Sequence, residues 1–289
     1  MKFYLIVVAF LFSGMGFSQS YSKVKIILDN NGLEELSELG IPVDHGIHKS
    51  GYFFISDFSE NEIQRIADNG FDYEILVDDV KSYYAKQNQL PIFQAKNVSC
   101  TQNNDVLPAP PVHHFENDSY AGFYKYQDML NALDSMAILY PNLITTRAPI
   151  STFLTHEGRS IYHVKISDNP TTDDPSEPKV LYTSIHHARE PMSMSQTIFY
   201  MWYLLENYAT NSEVQFLVDN TELYFVPCIN PDGYLQNESN DPNGFGMHRK
   251  NKAAVGTFNP GVDLNRNYSY LWNTTGVSSN EDSDTYPGT

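Results

Sequence analysis

Two histidines, an arginine and a glutamate lie within five residues near the middle of the chain, in the stretch SIHHAREP at 184–191. Residues three apart on a first helical turn face the same way, so His187 and Glu190 can offer a nitrogen and a carboxylate to one metal ion. His186 has Arg189 at that spacing and therefore lacks a partner carboxylate. With a third ligand from elsewhere and a water, such a pair makes a catalytic zinc site. The alternative is a helix cap with an ion pair between Arg189 and Glu190.

A second His-x-x-Glu occurs at His113 and Glu116, in the stretch PVHHFEND. It falls in residues 81–119, a polar segment with Pro-Ala-Pro-Pro and little periodicity, which we interpret as a linker. A loop without a supporting strand or helix rarely holds metal ligands rigidly. We therefore favour the pair at 187 and 190 as the metal site.

The elements around the favoured pair support this choice. The apolar run KVLYTSI at 179–185 predicts a buried strand, and the stretch at 194–209 predicts a long apolar helix. Ligand sites in α/β sheets gather at the carboxyl ends of strands. Because strands alternate with helices over residues 120–289, we predict an α/β fold with helices on both faces of a sheet.

The segment before the linker is a separate small unit. Residues 22–80 read as strand, helix, strand, strand, helix, strand, the order of a ferredoxin-like α+β sandwich. Its second helix has a capping box, with Ser59 at the start and Glu62 three residues on. This unit contains no convincing catalytic cluster.

The first residues of the chain predict export. Residues 1–18 combine Lys2, an apolar run at 3–12 and small residues before the cleavage position, which is typical of a secretory signal peptide. An apolar run of this length is too short to anchor the protein stably in a membrane. We expect a secreted or periplasmic protein, with Cys228 buried and free rather than bonded to Cys100.

Composition excludes one class of partner. The chain has 289 residues, of which 41% are hydrophobic, and its formal net charge is −17. Nucleic-acid binding requires clustered Lys and Arg to neutralise phosphates, so we expect no nucleic-acid partner. Anionic membranes are disfavoured for the same reason.

Three blocks occur in order downstream: HARE at 187–190, NPDGY at 230–234 followed by MHRKNK at 247–252, and GVDLNRNY at 261–268. Together they resemble the zinc carboxypeptidase family, that of carboxypeptidases A and B, from about Tyr120 to the end of the chain. The resemblance implies a mixed-sheet α/β/α carboxypeptidase-like domain at 120–289. It also gives residues 22–80 a role, since many members carry a ferredoxin-like propeptide that covers the active site.

The resemblance implies one Zn²⁺ ion as the cofactor. His187 and Glu190 are then zinc ligands, and Asp263 is the carboxylate that holds the His187 ring. The family's third zinc ligand is a histidine, and its general base is a glutamate. Both are expected outside this chain, which would therefore be a truncated, poorly active fragment.

The remaining site residues are also implied by the resemblance. Asn265 and Arg266 match the pair that grips the free C-terminal carboxylate of the substrate, which an arginine fork suits. Arg189 and Arg249 match further basic positions along the substrate groove. Lys252 is assigned to oxyanion support, where it would supply charge without a planar fork.

These expectations combine into one function. The chain is predicted to be the precursor of a secreted zinc metallocarboxypeptidase that acts on peptide or protein C-termini and is covered by its own propeptide-like unit. The alternatives are a non-catalytic peptide-binding module of the same fold and a hydrolase of cell-wall peptides or amide side chains.

Overall fold

The computed structural model describes residues 20–89, 111–113 and 120–289. The predicted signal at 1–18, most of the predicted linker and Cys100 lie outside the described residues. Two four-stranded sheets organise the rest, one in residues 20–89, the first unit, and one in residues 120–289, the second unit. Among the described residues, no helix has the length and apolar character needed to cross a membrane.

The first unit is an antiparallel sheet with two helices packed against its apolar face. Its strand order is β2-β3-β1-β4, and the order of elements along the chain is the one predicted. The elements are β1 Tyr21–Ile27, α1 Gly32–Glu38, β2 Ile47–Lys49, β3 Phe53–Ser59, α2 Glu60–Asp68 and β4 Tyr73–Val77. Strand β2 is shorter than the sequence suggested, so Asp44 and His45 lie in the loop before it and are free to reach the second unit.

Alternation along β1 explains how this sheet folds. Val24 and Ile26 are fully buried against the helices, while Lys23 and Lys25 point to the opposite face. The predicted capping box begins α2, with Ser59 Oγ accepting from the Glu62 N–H and the Glu62 carboxylate accepting from the Ser59 N–H.

A third helix, α3 Val80–Gln89, occupies the start of the predicted linker. The sequence of α3 has weak amphipathic periodicity, which is why pattern alone did not indicate a helix. Side-chain contacts hold it instead. The Tyr84 hydroxyl donates to Asp57 Oδ2 at 2.7 Å and accepts from Lys23 Nζ at 2.7 Å.

The second unit is the predicted α/β fold with a mixed sheet. Strand order is β5-β6-β8-β7, with β7 and β8 parallel and the other pairs antiparallel. The strands are β5 Ala148–Pro149, β6 Tyr162–Ile166, β7 Lys179–Thr183 and β8 Glu222–Val226. The helices are α4 Tyr126–Leu139, α5 Pro191–Asn207, α6 Ser212–Asp219 and α7 Pro231–Asn240, and a short 3₁₀ turn covers Leu264–Arg266.

Helices α4 and α5 form the core of the second unit against this sheet. Leu133 and Met136 of α4 belong to the same hydrophobic cluster as Ile198 and Met201 of α5, and all four are fully buried. Helix α7 was not predicted from the sequence pattern, in which NPDGY served only as a motif block. Proline at its first turn and the Asn230 cap begin this helix directly after β8.

The two units are in contact through polar groups. Thr285 Oγ1 donates to the Gly40 carbonyl at 2.7 Å, and Tyr21 Oη donates to Asp284 Oδ2 at 3.1 Å. This contact brings the loop that carries Asp44 to the end of β7, where the histidines lie.

Candidate active site

The chain turns sharply between β7 and α5. Ile185 adopts a left-handed backbone with a φ of 53°, which is rare for a β-branched residue. The turn is held from both sides, because Ser193 Oγ accepts from the Ile185 N–H and the Asn230 N–H donates to the Ile185 carbonyl. Such strained positions cluster at functional sites. Here the turn presents the residues of SIHHAREP at the carboxyl end of the sheet.

The turn brings His187 and Glu190 side by side. His187 Nδ1 and Glu190 Oε1 are 2.9 Å apart, and the His187 side chain is buried while that of Glu190 is partly exposed. Ligands of one tetrahedral zinc ion stand roughly 3.3 Å apart, given metal–ligand bonds of about 2.0–2.1 Å. The two donors therefore have the chemistry and the separation to share one ion.

Asp263 orients the His187 ring from behind. Its Oδ1 lies 3.1 Å from Nε2, and the carboxylate is fully buried. Burial opposes its charge, but the Arg249 guanidinium and His187 hold the pKa of Asp263 well below its usual range. Burial also opposes a charged His187, yet its hydrogen bonds to Asp263 and Glu190 raise its pKa. A carboxylate behind a metal-binding imidazole fixes which nitrogen faces the metal.

His186 is turned away from this pair. Its Nε2 lies 2.7 Å from the Tyr268 hydroxyl, and burial lowers its pKa. The second histidine of SIHHAREP is therefore the one that faces Glu190, in the arrangement that the three-residue spacing predicted.

Arg249 is the cation beside the pair. It is fully buried, its Nη2 lies 2.9 Å from Asp263 Oδ2, and its Nη1 lies 3.9 Å from Glu190 Oε1. Its carbonyl accepts from the Ala188 N–H at 3.0 Å, which fixes the arginine next to the histidine turn. Nη1 is buried without a hydrogen-bond partner among the described residues.

Lys252, to which the family resemblance assigned oxyanion support, lies elsewhere. Its Nζ bonds Gln236 Oε1 at 2.9 Å, and no contact among the described residues joins it to His187, Glu190 or Asp263. The stretch MHRKNK carries three cations within four positions, and spacing alone did not show which one faces the pair. The structure places Arg249 there.

Arg266 and Arg249 together hold a carboxylate of the first unit. Asp44 Oδ2 lies 3.0 Å from Arg266 Nη2 and 3.2 Å from Arg249 Nη2. Despite burial, the hydrogen bond from His45 and these two guanidinium groups hold the pKa of Asp44 well below its usual range. Asn265 contributes its backbone N–H to Asp263 Oδ1 at 2.9 Å. The carboxylate that Arg266 binds in the structure is the Asp44 side chain, and its predicted role towards a substrate terminus stays a prediction.

Arg189 faces the first unit rather than the His187–Glu190 pair. Its Nη1 donates to Asp284 Oδ2 at 2.7 Å, and its guanidinium carbon lies 5.2 Å from the centre of the Tyr21 ring. Beside it, a cavity of about 360 Å³ separates the two units. Glu190 lines this cavity. The apolar and aromatic side chains that line it are Tyr84, Tyr120, Phe123, Met192, Phe245 and Met247.

His113 of the rival motif is packed on α5. Its ring stacks on Trp202 at 4.3 Å between centroids, and its Nδ1 lies 2.6 Å from Glu206 Oε1. Glu116 lies outside the described residues. Within the described part of the chain, no group of three His, Cys, Asp or Glu side chains is arranged to hold a metal ion. Cys228 is buried and free.

The sequence is similar to known proteins over this region. A family model described as zinc carboxypeptidase matches residues 129–289. A zinc carboxypeptidase of Saccharothrix mutabilis subsp. capreolus is 33% identical over 157 residues, covering 54% of this chain and 35% of that protein. Metallocarboxypeptidase A of Trichophyton tonsurans is 32% identical over 182 residues, covering 62% of this chain and 40% of that protein. The chain thus spans well under half the length of these relatives.

Two solved structures share the fold. Carboxypeptidase A from Helicoverpa armigera aligns with a TM-score of 0.66 at 24% identity, covering 94% of this chain and 63% of that one. Thrombin activatable fibrinolysis inhibitor aligns with a TM-score of 0.58 at 18% identity, covering 93% and 64%. Both alignments extend over most of this chain.

Proposed function

Because the chain belongs to the zinc carboxypeptidase family, we propose that it is the precursor of a secreted zinc metallocarboxypeptidase that removes C-terminal residues from peptides and proteins. One observation carries this proposal. Two arginines, Arg249 and Arg266, share a carboxylate oxygen next to the His187–Glu190 pair. A substrate's terminal carboxylate has the same chemistry as the side chain now held there. Export is supported by the signal-like composition of residues 1–18.

His187 and Glu190 would hold the zinc ion, and their donor set fits it. A zinc ion held there would polarise the scissile carbonyl and lower the pKa of a bound water. Asp263 keeps the Nε2 side of the His187 ring occupied, so Nδ1 is the nitrogen that faces Glu190 and would be available to the metal.

Arg249, rather than Lys252, is proposed to stabilise the oxyanion. Charge that develops on the carbonyl oxygen during attack needs a preorganised donor in a site with little water. The buried Nη1 of Arg249, close to Glu190, has no hydrogen-bond partner among the described residues and meets this requirement.

Arg266 is proposed to select chain ends. Its guanidinium is fixed by the Gly276 carbonyl, which accepts from Nε at 2.9 Å, while Nη2 binds a carboxylate. A planar fork pre-oriented in this way favours a terminal carboxylate over a backbone amide. This preference would make the enzyme an exopeptidase.

The first unit is proposed to keep the precursor latent. Asp44 occupies the two guanidinium groups that a substrate carboxylate would need, and it arrives on a loop of the docked unit. Removal of this unit would free both arginines for substrate.

The test compares hydrolysis of a peptide with a free C-terminus and the same peptide with a C-terminal amide. The full-length gene product is used after removal of the first unit. We expect a large preference for the free carboxylate, and equal rates on both peptides would contradict the exopeptidase claim. Arg266→Ala should abolish the preference, whereas Arg147→Ala, whose partner is Asp134 on the surface, should not change it.

A second candidate is a non-catalytic module that binds peptide ends. A relative from Talaromyces marneffei is called inactive metallocarboxypeptidase ecm14, and it is 31% identical over 220 residues, covering 75% of this chain and 35% of that protein. A module of this kind would bind peptides with free carboxylates through Arg266 but would not hydrolyse them. Calorimetric binding without product formation, with zinc present, would favour the module over the enzyme.

A further inference from the structure

The two units bury a small polar cluster where they meet. Tyr21 on β1 and Glu62 on α2 come from the first unit, and Arg189 and Asp284 come from the second. Tyr21, Glu62 and Asp284 are each no more than 5% exposed, so water has little access to the charges between them.

Both oxygens of the Asp284 carboxylate accept hydrogen bonds. Arg189 Nη1 donates to its Oδ2 at 2.7 Å, Tyr21 Oη donates to the same oxygen at 3.1 Å, and Asn259 Nδ2 donates to Oδ1 at 2.7 Å. The one guanidinium of the cluster is therefore already matched by one buried negative charge.

Only one oxygen of the Glu62 carboxylate accepts hydrogen bonds from the described residues. Its Oε2 accepts from the backbone N–H and the hydroxyl of Ser59, both at 2.8 Å, while its Oε1 is buried without a hydrogen-bond partner among the described residues. A second ionised carboxylate here would be a buried charge without its own cation, which is expensive. A protonated carboxyl group fits the site better.

Three groups face Glu62 from other elements of the fold. They are Tyr21 from β1, Asp284 from the C-terminal stretch and Arg189 from the turn before α5. Burial and the Asp284 charge raise the pKa of Glu62 to about 7, and Arg189 and Ser59 offset them only in part. Burial also keeps Tyr21 neutral by raising its pKa well above the usual value, and Arg249 and Lys250 act on Asp284 from the far side.

We propose that Glu62 is a proton-dependent latch between the two units, neutral while they are docked and loosening them when it ionises. The consequence for activation rests on the proposed function, because a loosened first unit matters only if that unit blocks the site. The docking equilibrium itself does not depend on any activity.

The direction of the effect follows from proton linkage. The ordinary pKa of a glutamate is 4.5, and in the docked state Glu62 titrates near 7, so the docked state holds an extra proton between these values. The contribution of Glu62 to docking is therefore largest below about pH 4.5, falls by up to about tenfold per pH unit as pH rises, and levels off above about pH 7. Through Glu62, mildly acidic conditions favour the docked state and neutral conditions weaken it.

Hydroxyl-radical footprinting of the full chain tests this directly. Tyr21 is buried by the docking, and Tyr52 on the same unit is 62% exposed and serves as the internal reference. The measurement runs from about pH 5 to 8 in an Asp44→Asn background, which removes the carboxylate from Arg249 and Arg266 and brings the opening into a measurable range. We expect oxidation of Tyr21 relative to Tyr52 to rise as pH increases to about 7 and then to level off.

Glu62→Gln separates the latch from other titrating groups. Glutamine preserves the capping box and imitates the neutral carboxyl group, so Tyr21 should stay protected across the whole pH range. Glu60→Gln makes the same change in the same helical turn but on an exposed residue, and it should keep the wild-type pH dependence.

Three outcomes would overturn the latch. Tyr21 in the wild-type sequence would stay equally protected at all pH values, or Glu62→Gln would show the wild-type slope, or Glu62→Gln would be open even in acid. Tyr21 oxidation is measured without any peptide hydrolysis. A result against the latch is therefore distinguishable from a result against the proposed carboxypeptidase activity.

Discussion

Arg249 is fully buried, yet one of its guanidinium nitrogens lacks a hydrogen-bond partner among the described residues. A buried donor left unsatisfied costs about 1–3 kcal/mol. Its neighbours fix it in place through Asp263 and through the backbone of Ala188. That combination of a fixed position and an unused donor is what oxyanion stabilisation requires.

Replacing this arginine should cost far more activity than replacing the lysine nearby. In the full-length enzyme freed of its first unit, Arg249→Ala should lower kcat by about 10²–10³-fold, the typical loss of one oxyanion donor. Lys252→Ala is the matched control, because Lys252 bonds Gln236 and should lower kcat by less than about threefold. Steady-state kinetics on a free-carboxylate peptide provides the measurement. A larger loss in the lysine variant would return the role to Lys252.

Residue patterns predicted part of the site well. The three-residue spacing in SIHHAREP selected His187 over His186, and the structure places His187 against Glu190 and Asp263. The choice among the cations of MHRKNK could not be made in the same way, because an extended stretch with adjacent cations has no spacing rule that identifies the buried one. Burial and tertiary contacts decide that question.

At the scale of elements, the turn from β8 into α7 sets the position of the stretch that carries Arg249. Asn230 Nδ2 donates to the Lys250 carbonyl at 3.0 Å, and Asn230 Oδ1 accepts from the Gly233 N–H at 3.0 Å. A Cβ on Gly233 would stand 2.4 Å from that carbonyl, so only glycine fits. Sequence periodicity missed α7 because its polar, capped first turn carries little apolar pattern.

A buried ion pair joins two central strands of the second sheet. Lys165 on β6 and Glu222 on β8 lie 2.7 Å apart, and both side chains are almost completely buried. Although burial opposes it, the hydrogen bonds from Lys165, Tyr224 and the Asp174 backbone lower the pKa of Glu222 to about 2.

Glu222→Gln should destabilise the protein by about 3–5 kcal/mol at neutral pH, because it leaves the Lys165 ammonium buried without a counter-charge. Glu222 stabilises the fold fully above its unfolded pKa of 4.5, and this contribution is lost as pH falls towards about 2. Urea unfolding of the full chain at several pH values should therefore show a smaller acid-dependent loss in the variant. Glu213→Gln, on an exposed residue, is the control, and an equal loss in both variants would contradict the argument.

The arrangement of the whole molecule depends on the contact between its two units. Alternation and capping in the sequence predicted most elements of each unit, because those signals are local. The contact itself was not predicted in detail, since it joins side chains such as Asp44 and Arg266 that are far apart in the chain. Helix α3 escaped prediction for a related reason, because tertiary contacts of Tyr84 hold it.

Asp44→Asn should raise the basal activity of the intact full-length precursor severalfold. Asparagine removes the charge that holds Arg249 and Arg266, so a substrate carboxylate competes more effectively for both. The basal activity is measured as the turnover of a small peptide with a free carboxylate. Gel analysis excludes cleavage of the precursor during the assay. Asp68→Asn on the exposed face of α2 is the control, and no difference between the two variants would contradict a blocking role for Asp44.

The hydrogen bonds between the units join the two ends of the described chain. Tyr21 and Asp284 are separated by 263 residues, and Gly40 and Thr285 by 245. Closing loops of this length is entropically unfavourable until the groups at both ends are already in place. Each unit should therefore collapse on its own first, with docking as a late step in folding. The same contacts, being polar, should be among the first to separate when the native protein opens.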